Sequence, residues 1–242
     1  NPERAVFALR KAIDISPLMP AAHGQLGIAL QSLQRSEEAI SSYKKVVDLQ
    51  PDNVAAYVNM AMIYIDVGNR EEAVACCNLA IKIKPDFTGG HLLLASACSA
   101  LGRYERSLQS YTRALQLEPD NLNALAGKAE ALIKLDKKRE ALQLLKKKIE
   151  AGCIEPSIVI AYVSISPRHG SKETAIDCLT KAFNVPALNN MQKLQLSFSA
   201  GSFYDRIKQY DEAFKYYAAG NNLAQRVYDA DSDRLWFEKI IE

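Results

Sequence analysis

No apolar run in the 242-residue sequence approaches the roughly 20 residues of a membrane-spanning helix, and the first residues lack the apolar middle of a signal peptide. No membrane partner is therefore expected. Cysteine is sparse: Cys76, Cys77, Cys98, Cys153 and Cys178 are odd in number, contain no C-x-x-C pair and include two adjacent residues that bridge poorly. That usage suits a reducing compartment, so a cytoplasmic chain is expected. A charge excess is also missing. The net charge of +2 sets up no global field that would demand a nucleic acid or an anionic surface. Catalytic signatures are absent too: there is no G-x-x-x-x-G-K, G-x-G-x-x-G, H-E-x-x-H or G-x-S-x-G. The three histidines offer no metal pair, since His23 and His91 fall in the aromatic slot of their helices, as packing residues, and His169 falls in a turn. Cys77 and Cys98 take interior positions as small apolar residues. No catalytic residue, cofactor or metal is expected, and no enzymatic role for the chain itself.

What the sequence does have is a count. With 48% hydrophobic and 24% charged residues it can build a substantial core, and four prolines at 17, 51, 85 and 119 stand 34 residues apart. A small residue keeps the same step at Ala5, Ala39, Ala73, Ser107, Ala141 and Ala175. Four residues beyond each lie Leu9, Tyr43, Cys77, Tyr111, Leu145 and Leu179; seven beyond lie Ala12, Val46, Ala80, Ala114, Lys148 and Ala182. Those offsets fall on one helical face. A second apolar set, centred on Gly27, Ala61, Ala95, Ala129 and Val163, precedes each marker by twelve residues. Each period therefore holds two amphipathic helices joined by short polar turns such as "VGNREEA" (67–73). Helices are expected near 20–33, 37–50, 54–67, 71–84, 88–101, 105–118, 122–135, 138–150, 157–166, 171–184, 190–207, 210–228 and 232–241.

This pattern resembles the tetratricopeptide repeat family. In "AAYVNMAMIYIDVGNREEAVACCNLAIKIKPDF" (55–87), Tyr57, Ala61, Tyr64, Gly68, Ala73, Ala80 and Pro85 hold the family's places. The resemblance implies an all-α, right-handed α-α superhelix of stacked antiparallel helical hairpins, in which no repeat buries its face alone. Residues 1–19 read as the second helix of a truncated repeat. Repeats are expected at 20–53, 54–87, 88–121, 122–155 and 156–189, a last hairpin at 190–229, and a capping helix or linker at 230–242. Pro167 should shorten the first helix of the fifth repeat, because proline removes a helical donor.

By the family's geometry, the first helices line a concave wall. Here that wall comprises Gln25, Ile28, Gln31, Asn59, Met62, Ile65, Asp66, Leu92, Ser96, Ser99, Glu130 and Ile133. Gly24, Ile28 and Asn59 leave a carboxylate clamp of the chaperone-tail receptors without its cations, and Gln25, Asn59, Leu93 and Gly127 do not form the asparagine ladder of the glycosyltransferase solenoids. A protein or peptide partner with apolar or uncharged contact residues is expected. The basic run "KLDKKREALQLLKKK" (134–148) reads first as a solvated helix face with a cationic end; the alternative is a patch for an acidic partner. Without interleaved aromatics it gives bases no platform, and no nucleic acid is expected.

The segment "FSAGSFYDRIKQYDEAFKYYAAGNNLAQRVYDADSDRLWFEKI" (198–240) resembles the last repeat and linker of bacterial tetratricopeptide arrays placed ahead of a sulfotransferase domain, through Phe198, Gly201, Tyr210 to Phe214, Gly220, Asn221 and Tyr228. That resemblance implies a PAPS-dependent domain beyond Glu242 and a regulatory or substrate-recognising role for this array. A noncatalytic binding scaffold is the leading reading, and the transferase-linked array is the alternative.

Overall fold

The computed structural model describes residues 2–224, which form thirteen α-helices and, among the described residues, no strand. They fall into two compact units, Asn1–Asp136 and Lys137–Glu242. The first holds α1 (Pro2–Ile15), α2 (Pro20–Ser32), α3 (Ser36–Leu49), α4 (Val54–Asp66), α5 (Arg70–Ile83), α6 (Thr88–Ala100), α7 (Tyr104–Leu117) and α8 (Leu122–Lys134). The second holds α9 (Lys138–Glu150), α10 (Pro156–His169), α11 (Lys172–Phe183), α12 (Asn190–Arg206) and α13 (Tyr210–Leu223). The expected helix at 232–241, the segment 225–228 of the helix expected at 210–228, and the cap at 230–242 lie outside the described residues.

In the first unit the recurring turns stop one helix and start the next. Asn53 and Asn121 cap α4 and α8, their side-chain oxygens accepting from Ala56 N–H (3.0 Å) and Ala124 N–H (2.9 Å). The turn inside each hairpin needs a left-handed residue at one register position, filled in succession by Gln34, Gly68, Gly102 and Asp136 with φ of 58°, 85°, 72° and 59°. Side chains tolerate that region poorly, so Gln34 sits there at a cost that Gly68 avoids.

The small markers are where helices touch. Ala39, Ala73 and Ser107 are fully buried, and the Ser107 hydroxyl donates to the Ala95 carbonyl of the facing helix (2.9 Å), which is how a polar residue is accommodated there. Around them runs one continuous core from Val6 to Cys98, with Leu30, Tyr43, Ile63 and Cys77 almost wholly enclosed. His23 and His91, in the slot expected for packing, are buried, and each donates from Nε2 to a proline carbonyl six residues back: Pro17 at 2.8 Å and Pro85 at 2.9 Å. Each link ties a first helix to the turn that precedes it.

Two ion pairs on the surface of this unit repeat the register. Glu71 takes a bidentate pair from Arg103 (2.6 and 2.9 Å), and Glu3 is approached by Arg35 at 3.7 Å, in both cases 32 residues apart. All four side chains keep a third or more of their surface in solvent, so these pairs add little stability.

The second unit keeps its markers buried at Ala141, Ala175 and Ala213 but stacks differently. In the first unit each first helix, besides pairing within its own hairpin, packs on the second helix before it (α3 with α4, α5 with α6, α7 with α8); in the second, α12, besides pairing with α13, packs on α10 and only slightly on α11. Arg206 holds the end of α12 to α10 through the Ser164 carbonyl (2.7 Å). Phe183 stacks on Tyr216 at 5.2 Å, and Tyr216 stacks on Tyr204 at 5.4 Å, joining α11, α13 and α12 through rings.

The expectation that Pro167 shortens the helix at 157–166 is corrected: α10 runs from Pro156 to His169 with Pro167 inside it. The missing proline N–H would have bonded the Val163 carbonyl. The Ser166 hydroxyl, fully buried, donates to that carbonyl instead (3.1 Å). The helix continues because its freed acceptor is satisfied from one residue away.

Candidate functional site

In the first unit α4 touches α6 and α6 touches α8, whereas successive second helices make no comparable contact. From α4 to α8 the stack is therefore tighter on the first-helix side. The twelve wall residues expected from the sequence lie on α2, α4, α6 and α8, and none is buried. Gln25, Ile28, Met62, Asp66, Ser96 and Glu130 are exposed; Gln31, Asn59, Ile65, Leu92, Ser99 and Ile133 are half-buried.

Ile28 and Met62 hold the same register position on α2 and α4, and they are 51% and 42% exposed. Two large apolar side chains left open at equivalent places can contribute contact area to a ligand. The same position becomes Ser96 and then Glu130 along the stack, so the wall changes from apolar to acidic toward α8.

One part of the wall is concave on the scale of a side chain. A cleft of about 320 Å³ lies among α2, α3 and α4, lined by Gln25, Ile28 and Asn59 from the expected set. It is also lined by residues that sequence reasoning had not placed there, among them Tyr43, Val46, Gln50 and Asn53. Tyr43 was legible only as a core position four residues after its marker. A signal was present in Gly27, whose missing side chain leaves room for the Tyr43 ring: a Cβ there would stand 2.7 Å from Tyr43 Cζ. A second cleft of about 310 Å³, lined by Arg10, Asp14, His23 and Lys45 among others, lies among α1, α2 and α3. Its cations are engaged, Arg10 with Glu38 at 2.6 Å and Lys45 with Asp48 at 3.7 Å.

The site's chemistry is that of contact. Burial pushes the Cys77 thiol up to about 12 and raises those of Cys76 and Cys98, the reverse of what a nucleophile needs. Burial also raises the Tyr43 phenol, opposed by the neighbouring Asn59 side chain. Among the described residues no group of three or more His, Cys, Asp or Glu side chains is placed to hold a metal ion, and no helix is long and apolar enough to cross a membrane.

No curated protein sequence is matched. Among solved structures, a tetratricopeptide repeat protein from Parabacteroides merdae ATCC 43184 is 15% identical with a TM-score of 0.73, over 98% of this chain and 91% of its own. YrrB, described as a tetratricopeptide repeat protein with an unusual peptide-binding site, is 18% identical with a TM-score of 0.61, over 76% and 95%. MamA from Desulfovibrio magneticus RS-1 is 20% identical with a TM-score of 0.58, over 62% and 85%. At these identities the likeness shows the fold, an all-α superhelix of stacked hairpins. Nothing in these matches supports the likeness of 198–240 to sulfotransferase-linked arrays, and its residues from 225 on lie outside the described ones. A model of the tetratricopeptide repeat family matches residues 32–97 and 99–150. Those residues carry tetratricopeptide repeats.

Proposed function

We propose that the chain is a noncatalytic scaffold that binds a protein or peptide along the first-helix wall of its first unit. The carrying observation is the pair Ile28 and Met62, exposed at one register position on adjacent hairpins beside a side-chain-sized cleft. Folds of this type generally act as scaffolds, and YrrB, which shares the fold, is described as having a peptide-binding site. The repeat boundaries given above, from 20–53 through 156–189, are part of this proposal.

The partner's chemistry follows from the wall's. Over α2, α4 and α6 the expected contact residues carry one charge, that of Asp66, so a partner presenting apolar or uncharged side chains is favoured and a strongly acidic one has nothing to pair with. A reducing, cytoplasmic setting fits the free cysteines. Peptides selected from a random display library should therefore be poor in Asp and Glu, and calorimetry should show that Ile28→Asp with Met62→Asp abolishes their binding without loss of helicity. Selection of acidic peptides whose binding survives that double change and fails on neutralising Lys146 and Lys147 would move the site to α9.

A further inference from the structure

Tyr43 carries a buried hydroxyl with no hydrogen-bonding partner, and no other side-chain oxygen or nitrogen among the described residues is buried and left so. The residue is 1% exposed, yet it lines the cleft among α2, α3 and α4, where the hydroxyl-bearing end of its ring lies against Gly27. A buried polar group without a partner is costly, and native structures rarely keep one that nothing uses.

The polar groups around it divide into occupied and spare. Asn53 donates to Gln50 Oε1 (3.0 Å) and accepts from Ala56 N–H (3.0 Å), so these two side chains are committed to each other and to the cap of α4. Asn59 faces the phenol, close enough to oppose the effect of burial on it, but without hydrogen-bond geometry. Gln25 is exposed at the rim. The cleft thus offers a phenol and two carboxamides, all neutral, each able both to donate and to accept. No charged residue lines it.

We infer that this cleft is a specificity pocket for a neutral carboxamide, an Asn or Gln side chain of the bound peptide, held by Tyr43, Asn59 and Gln25. The inference rests on the wall being a peptide site and says which residue the peptide must present. A carboxamide matches the set: its N–H groups donate and its carbonyl accepts, and each of the three neutral groups can take either role. A carboxylate would be enclosed with no cation. An aliphatic side chain would leave the phenol and the Asn59 amide unpaired, and a site built of unpaired polar groups discriminates strongly against a ligand that lacks their partners. The volume of about 320 Å³ is at the small end for ligand sites and suits one side chain with its backbone. Asn59, half-buried, turns about its own side-chain bonds to admit the ligand to Tyr43, while Ile28 receives the apolar flank.

The test uses the whole chain and acetylated, amidated hexapeptides of Leu and Ala in which one position, scanned along the peptide, carries Gln, Asn, Glu, Lys or Leu. Calorimetry should rank Gln or Asn above Glu and Leu by about tenfold, one hydrogen bond's worth. Tyr43→Phe should erase that preference and leave the urea midpoint of the free chain unchanged or higher, because the hydroxyl bonds nothing there. A preference for Glu, no preference, a preference that survives Tyr43→Phe, or a lowered midpoint in that variant would each overturn the inference. If peptides bind without an amide preference but lose binding with Met62→Asp, the pocket fails and the wall stands. If no peptide binds, both fall.

Discussion

Adding one methyl group to α2 should have opposite effects at two glycines three residues apart. Both Gly24 and Gly27 lie inside the helix, where alanine is favoured over glycine by about 0.5–1 kcal/mol because it has less backbone freedom to lose. At Gly24 the new Cβ meets only Val46 Cγ2 at 3.8 Å, an ordinary contact, so Gly24→Ala should stabilise by that amount. At Gly27 it would stand 2.7 Å from Tyr43 Cε1 and Cζ. The ring is 1% exposed and cannot swing into solvent, so either it or the helix must shift, an overpacking cost of about 1–3 kcal/mol. With the ring contact this close, the cost falls in the upper part of that range and exceeds the propensity gain, leaving Gly27→Ala less stable by up to about 2.5 kcal/mol. Urea unfolding followed by circular dichroism, with a shared m-value, reads both changes as midpoint shifts of opposite sign. Two shifts of the same sign would refute the assignment of Gly27 as the seat of the Tyr43 ring.

Three further outcomes follow from single positions. Gln34→Gly should raise stability by about 0.5–1 kcal/mol and Gly68→Ala should lower it by about 1 kcal/mol, since both residues have positive φ; thermal unfolding checks the pair. Ser166→Ala strips the buried Val163 carbonyl of its substitute donor and should cost about 1–2 kcal/mol by denaturant titration, while Ser164→Ala, whose hydroxyl bonds the Ala161 carbonyl at an exposed position, should cost little. With Cys77 held near 12, its thiolate at pH 8 is about one part in ten thousand, so iodoacetamide and mass spectrometry should label half-buried Cys153 in the native chain and reach Cys77 only on unfolding.

The helices were legible because one count governs them. Prolines, small markers and the apolar offsets at four and seven residues all repeat together, so each expected helix overlaps an observed one wherever residues are described. Pro167 was misread because its letter shows a missing donor, while the remedy depends on the side-chain direction of Ser166, which periodicity does not carry. The division after Asp136 was also invisible: the marker step runs unbroken from Ser107 through Ala141 to Ala175, and the changed packing of α12 rests on contacts of Arg206 and Tyr216 that lie outside the repeat. At the wall, Ile28 and Met62, read from the periodic first-helix faces, are exposed. Tyr43 was assigned to the core alone, because an aromatic four residues past a marker reads as packing, and only the geometry shows that it also lines the cleft.

The central claim is that ligands meet the first-helix wall of the first unit, and methyl NMR tests it most directly because the outer helices carry their own control. Leu79 and Ile83, on the second helix α5, are 43% and 38% exposed, about as open as Met62. Titrating a selected peptide into methyl-labelled protein should shift the signals of Ile28, Met62, Ile65 and Leu92 together and leave Leu79 and Ile83 in place. Shifts at Leu79 and Ile83 with none at Ile28 and Met62 would contradict the account and place recognition on the opposite face.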